Sequence, residues 1–194
     1  TTPSIMGGDE KTRQGVVLAK PTPAKAYGIV TGEPVASALK KCPSLVMAPP
    51  DHELYRRYSR RMMSLLASYT SDLEQLSVDE CFLYYTPIAF RFPSPVKAAS
   101  IIKEHIFREL GFTVNIGIAP NKLLAKMASD FQKPDRIHTL YMEEIPKKMW
   151  PLPVGELYTV GRSSAARLQQ LGIHTIGELA APDPEFLAAH FKSH

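Results

Sequence analysis

Cysteine is nearly absent from this 194-residue chain: Cys42 and Cys81 lie far apart and show no metal-ligand spacing. That excludes a disulfide framework and a cysteine-built zinc site, and it fits a reducing compartment. No apolar run approaches the length of a membrane span, and Asp9, Glu10, Lys11 and Arg13 occupy the stretch where a secretory peptide would be apolar. The expectation is a cytoplasmic chain with no membrane partner. Internal repeats and low-complexity tracts are also missing. Nor is there a strong charge of one sign. Lys and Arg number 23 against 19 acidic residues, a net charge of +4, which leans toward a polyanionic partner without requiring one. What is present is apolar content, 44% against 22% charged residues, enough for a real core in one domain or two small lobes. The chain starts at Thr1 without a methionine, as a processed or excised piece would.

Ten of the 17 prolines cluster in pairs, at 21/23, 49/50, 93/95, 151/153 and 182/184, where helices and strands should stop. Up to about Ala48, an apolar run at 15–19 and a helical piece at 33–41 predict a small mixed lobe. Over residues 53–69, Tyr55, Tyr58, Met62, Leu65 and Tyr69 recur at steps of three and four, which predicts an amphipathic helix. Its other face carries Arg56, Arg57, Arg60 and Arg61, a solvated face or a polyanion contact. Residues 73–85 read as two strands around a tight reversal. Ser94 and Pro95 open a further helix, with Val96, Ala99, Ile102, Ile106 and Leu110 inward and Gly111 closing it. Alternation over 112–118 predicts a strand. Asn121 caps a helix with Leu123, Leu124, Met127 and Phe131 inward. Helix, strand, strand, helix, strand, helix is the order of an α+β split β-α-β sheet with helices on one side and its first strand missing. After residue 160 the pattern changes to small helices, begun near Ser163, at Thr175 and at Asp183-Pro184.

The chemistry concentrates in Ser77-Val78-Asp79-Glu80, set between Leu76 and Cys81-Phe82-Leu83. Adjacent carboxylates within an apolar strand segment are costly to bury unless a cation neutralises them. Side chains alternate faces along a strand, so Asp79 and Glu80 can share one cation only if the chain reverses or bulges there. Hard oxygen ligands of this kind suit Mg²⁺, which takes one or two carboxylates together with substrate phosphates. A solvated hairpin tip is the alternative.

Ser77-Val78-Asp79-Glu80 resembles the Ser-x-Asp-Glu palm motif of the Y-family (translesion) DNA polymerases, of the bacterial DNA polymerase IV-like, ImpB/MucB/SamB type. Further blocks follow in family order. Gly15-Val16-Val17-Leu18-Ala19 and Ala24-Lys25-Ala26-Tyr27-Gly28-Ile29 resemble the fingers, and Lys41-Cys42-Pro43 with Pro49-Pro50-Asp51 the junction to the palm. The stretch from Val114 through Asn121-Lys122-Leu123-Leu124-Ala125-Lys126 to Ser129, closing with Lys133-Pro134, is similar to the second palm block. Val160-Gly161, Ala165, Leu168 and Leu171-Gly172-Ile173 resemble the helix-hairpin-helix thumb. The resemblance implies fingers over 1–48, a partial ferredoxin-like palm over 49–140 and a thumb over 141–194. It also implies a missing first palm strand with its carboxylate and ribose-sensing residue, and a missing little finger.

What the resemblance implies for chemistry is two-Mg²⁺ nucleotidyl transfer with Asp79 and Glu80 as metal ligands and catalytic residues. Lys25, Thr22 and Lys133 would contact the incoming deoxynucleoside triphosphate. Lys122 and Lys126, on the exposed side of their helix, would face primer-template DNA together with Gly161, Arg162 and Ser163, where a helix start suits a phosphate. A sliding clamp would be a partner through a region beyond this chain. The expectation is a template-directed translesion polymerase that is inactive as this piece alone. Three departures stand out: Thr22 replaces a tyrosine common near the triphosphate, Tyr84 follows Leu83 where an acid is common, and Thr159 holds a thumb-turn position where glycine is usual. Two alternatives are a non-catalytic DNA-binding module and a nucleotide cyclase, the latter because Gly7-Gly8-Asp9-Glu10 resembles a diguanylate cyclase signature.

Overall fold

The structure, a computed structural model, describes residues 2–9 and 14–191. The chain divides into two compact units, Thr1–Tyr58 and Ser59–His194.

In the first unit β1 (Ser4–Asp9) is the middle strand of three, antiparallel to β2 (Gln14–Ala19) and parallel to β3 (Val46–Ala48). Val17 is buried while its neighbours Val16 and Leu18 are exposed, the period-two pattern of a sheet with one covered face. That face closes over Ile5, Ala24, Ile29, Val35, Ala38, Cys42 and Leu45, supplied in part by α1 (Thr22–Lys25) and α2 (Val35–Lys41). The β1–β2 ladder shifts register at Gly7. A Cβ there would stand 2.2 Å from the Val16 carbonyl oxygen, so only glycine allows this approach of the two strands. Gly7 and Gly8 therefore serve the packing of β1; Glu10, the last residue of the cyclase-like signature, lies outside the described residues.

Helix α3 (His52–Ala67) begins in the first unit and ends in the second. Of the predicted stripe Met62 is buried and Tyr55, Tyr58, Leu65 and Tyr69 are half-buried, and Ser59 and Leu66 beside them are buried as well. The small Ser59 is accepted inside because its hydroxyl takes a hydrogen bond from Gln75 Nε2 at 3.1 Å. Arg56, Arg57, Arg60 and Arg61 are exposed.

Within the second unit, β4 (Leu73–Gln75) and β5 (Cys81–Leu83) form an antiparallel hairpin with Gln75 opposite Cys81. Helix α4 (Pro95–Leu110) starts where Ser94 Oγ accepts the Lys97 N–H and ends at Gly111, whose φ is 77°. It buries Ala98, Ala99, Ile102, Ile106 and Leu110, whereas Val96 in its first turn is exposed. The predicted strand over 112–118 is realised only as β6 (Ile116–Ile118), parallel to β7 (Ile137–Thr139). Asn115 leaves the ladder because its side chain bonds elsewhere: Nδ2 donates to the Ser129 and Gln132 carbonyls, and Oδ1 accepts the Arg136 N–H. Helix α5 (Lys122–Asp130) is capped by Asn121, whose Oδ1 accepts the Leu124 N–H at 2.9 Å. Leu124, Met127 and Ala128 go inward with Leu140, Met149 and Ile176, while Leu123 remains exposed. At Gly117 the helix comes so near β6 that a Cβ would stand 2.0 Å from the Ala125 carbonyl oxygen.

The remaining helices are short: α6 (Ile145–Lys148), α7 (Arg162–Gln170), α8 (Ile176–Ala180) and α9 (Pro184–His190). Helices α7, α8 and α9 pack around Val154, Leu168 and Ile173, whereas Ile145 of α6 packs against the core of Leu124, Met127 and Leu140. Thr175 and Glu178 form a capping box, and the N–H groups of His174 and Thr175 hold the Glu178 carboxyl below its ordinary range. Among the described residues no helix is long and apolar enough to cross a membrane.

Candidate active site

Asp79 and Glu80 occupy the connection at residues 76–80 between β4 and β5. The tip is closed by the Leu76 and Ser77 N–H groups, which both donate to the Glu80 carbonyl at 2.9 and 3.1 Å. Ser77 Oγ donates to Asp79 Oδ1 at 2.8 Å, and Gln75 Nε2 ties the Ser77 carbonyl to α3 through Ser59. The chain reverses here, so the alternation that would send successive strand side chains to opposite faces does not apply. Asp79 is exposed and Glu80 half-buried.

Glu80 is met by Lys126 from the middle of α5, Nζ to Oε1 at 2.7 Å. The same ammonium donates to Asp130 Oδ2 at 2.9 Å, and Asp130 Oδ1 accepts an ion pair from Lys133 at 2.6 Å. The sequence reading put Lys126 on the exposed side of its helix. Its side chain is instead only 13% exposed, because two carboxylates, and the Tyr158 ring with its centroid 5.8 Å away, draw it inward. Burial alone would lower the Lys126 pKa, but its bonds to Glu80 and Asp130 prevail and raise it. For Asp130 burial acts upward, and the hydrogen bonds from Lys133 and Lys126 outweigh it and hold the carboxyl low.

Lys122 stays exposed, paired with Glu74 of β4, and lies over the Phe82 ring. Lys25 is exposed at the end of α1; Thr22 begins the same helix, and its side chain is outside the described set. Gly161 is the extended N-cap of α7, with no side-chain cap, and Arg162 and Ser163 are its exposed first residues. Sequence reasoning missed Glu74, Asp130 and Tyr158. The i,i+4 and i,i+3 spacing of Lys126, Asp130 and Lys133 was a signal that could have found Asp130.

Among the described residues there is no group of three or more His, Cys, Asp or Glu that could hold a metal. Asp79 and Glu80 are nonetheless an apt partial donor set for Mg²⁺ by the chemistry of their hard carboxylate oxygens, with Glu80 Oε1 engaged by Lys126.

The second unit thus combines two two-stranded sheets, one carrying the charged tip and the other crossed by α5, with a region of small helices. Residues 1–130 match the impB/mucB/samB family and residues 143–173 that family's helix-hairpin-helix motif. The chain belongs to this family, the Y-family DNA polymerases. It is 58% identical over 192 residues to DNA polymerase IV of Clostridium acetobutylicum, covering 99% of this chain and 48% of that one. To DNA polymerase IV 1 of Bacillus subtilis it is 42% identical over 185 residues, covering 95% and 44%. The crystal structure of DinB from Sulfolobus solfataricus superposes with a TM-score of 0.85 at 28% identity, over 97% of this chain and 55% of that one. An insertion ternary complex of Dbh DNA polymerase gives 0.85 at 26% identity, over 98% and 56%. The chain thus spans about half the length of the curated relatives it matches.

Proposed function

We propose that the whole protein is a template-directed translesion DNA polymerase of the cytoplasm, acting on primer-template DNA and deoxynucleoside triphosphates and served by a sliding clamp. Residues 1–48 act as fingers, 49–140 as the palm and 141–194 as the thumb. The observation that carries this reading is the pair Asp79 and Glu80 on a hairpin tip, backed by Lys126, with Lys133 beyond it.

Asp79 and Glu80 would hold Mg²⁺, which would supply Lewis acidity toward the primer hydroxyl and offset charge on the leaving phosphates. The chain's own residues do the rest. Lys133 and Lys25, both exposed, offer compact cations to the triphosphate oxygens, with Thr22 beside Lys25. Lys122 and the α7 start at Gly161, Arg162 and Ser163 hold the DNA backbone, whose phosphates seek cations and open helix N–H groups. Lys126 neutralises Glu80 and acts on DNA only through it. Two carboxylates complete only part of a two-metal ligand set, so the 194-residue chain alone does not extend a primer.

Primer extension with the full-length protein tests this. Asp79→Ala should lower the rate roughly a thousandfold or more, the loss of transition-state electrostatics amounting to several kcal/mol. A fully active Asp79→Ala protein would remove Asp79 from the mechanism, and robust extension by the 194-residue chain would overturn the incomplete ligand set.

A further inference from the structure

We infer that Lys126 is a displaceable counter-ion for Glu80, and that Asp130 couples its release to the capture of phosphate by Lys133. The inference rests on the reading of Asp79 and Glu80 as a divalent-cation site.

Four alternating charges form a chain of ion pairs, Glu80, Lys126, Asp130 and Lys133, joined at 2.7, 2.9 and 2.6 Å. The inner members sit on α5, which is fixed by its Asn121 cap and by its close approach to β6 at Gly117. The outer members differ: Glu80 lies on the hairpin tip, and Lys133 follows the helix with its side chain 58% exposed. An ordinary i,i+4 pair on a helix surface would leave Lys126 in solvent. Here the side chain is mostly covered and reaches a second element, so Nζ occupies space next to Glu80 that a cation would need.

Asp130 divides its two oxygens between Lys126 and Lys133. A polyphosphate that draws Lys133 away leaves Asp130 with Lys126 alone, and the ammonium shifts toward Asp130. Glu80 then loses its counter-ion as the cation accompanying the phosphate arrives. Lys126 need not leave the site, since Asp130 retains it. Cation and polyphosphate binding are therefore coupled through the protein as well as by their direct attraction.

Manganese serves as the probe, with free Mn²⁺ read by paramagnetic resonance on the full-length protein, and a non-hydrolysable deoxynucleoside triphosphate analogue is titrated separately with metal chelated. Lys126→Met keeps the apolar stem and removes the competitor, and should tighten Mn²⁺ roughly three- to fivefold, the scale of a partly exposed ion pair. Asp130→Asn should act in opposite directions on the two ligands. Mn²⁺ weakens because Lys126 turns wholly to Glu80, and the analogue binds more tightly because Lys133 is freed. A merely structural role would weaken both or neither. If Lys126→Met fails to fold, judged by its thermal transition, the opposed changes in Asp130→Asn decide alone. Glu80→Gln separates the two readings. If it lowers Mn²⁺ affinity while Lys126→Met and Asp130→Asn leave affinities unchanged, the counter-ion inference is wrong and the cation site stands. If Glu80→Gln leaves Mn²⁺ binding intact, the hairpin is not the cation site and both readings fall.

Discussion

The hairpin tip at 76–80 and the crossing of β6 by α5 meet at one ion pair, yet they are built in opposite ways. The tip is exposed and held by hydrogen bonds of its own, the Glu80 carbonyl taking two N–H groups and Ser77 holding Asp79. The crossing is held by packing: Leu124, Met127 and Ala128 are buried, and helix and strand are so close that no Cβ fits at Gly117. Under the proposed function, carboxylates that accept a cation need exposure, whereas the ammonium paired with one of them needs a fixed origin. On that reading the loose element carries the chemistry and the tight one sets its reach.

Breaking the tight element should have the largest effect. Gly117→Ala would place a methyl 2.0 Å from the Ala125 carbonyl oxygen and 2.6 Å from the Ser129 nitrogen. Both are backbone atoms that cannot rotate away. Helix and strand must part, at a cost of about 3 kcal/mol, the upper range for overpacking. Urea unfolding of the full-length protein should show a lower midpoint at unchanged slope. A stability within 0.5 kcal/mol of wild type, the scale of an ordinary surface change, would mean that the crossing is not rigid.

A smaller effect of opposite sign is expected at Thr159, in the turn that seats Tyr158 against Lys126. Val160 N–H bonds the Leu157 carbonyl at 2.9 Å, and Thr159 stands at φ 77°. This is the third position of a turn that favours glycine. Left-handed backbone costs a side-chain-bearing residue roughly 1–2 kcal/mol, and a β-branched one suffers most. Glycine removes that strain but adds freedom to the unfolded chain. Thr159→Gly should therefore stabilise by about 1 kcal/mol, read as a higher melting temperature; a loss of stability would show that the threonine has a packing role offsetting its backbone.

These elements were not equally legible in the sequence. The caps of α4 and α5 could be read because Ser94 and Asn121 act on N–H groups three residues ahead, a purely local chemistry. The hairpin was legible for the same reason. Strands β1 and β3 went unread: Gly7-Gly8 carries no alternation, and β3 is only three residues long, so both are fixed by pairing with distant partners. The inward turn of Lys126 was likewise hidden. Helical spacing places it beside Lys122, but its direction is set by Glu80, which is 46 residues away in sequence. At the candidate site the carboxylates and lysines were named from the sequence, while their partners Glu74 and Tyr158 emerged only from the fold.

The smallest change in stability should come at the tip, with Ser77→Ala. The Ser77 hydroxyl donates to Asp79 Oδ1 at 2.8 Å and accepts the Asp79 N–H at 3.4 Å, all within an exposed turn. Water can replace both bonds, so folding stability should stay within about 0.5 kcal/mol of wild type, as for most surface substitutions. Asp79 would no longer be held toward one rotamer, and part of the cation's binding energy would go into ordering it. A net hydrogen bond is worth ~0.5–1.5 kcal/mol, so Mn²⁺ affinity should fall roughly two- to tenfold, with a parallel fall in primer extension at limiting Mg²⁺. The contrast with Gly117→Ala is then complete in one pair of variants: one loses stability, the other loses cation affinity alone. An unfolding midpoint lowered as far by Ser77→Ala as by Gly117→Ala would show that the tip is structural and that the division between loose chemistry and tight scaffold does not hold.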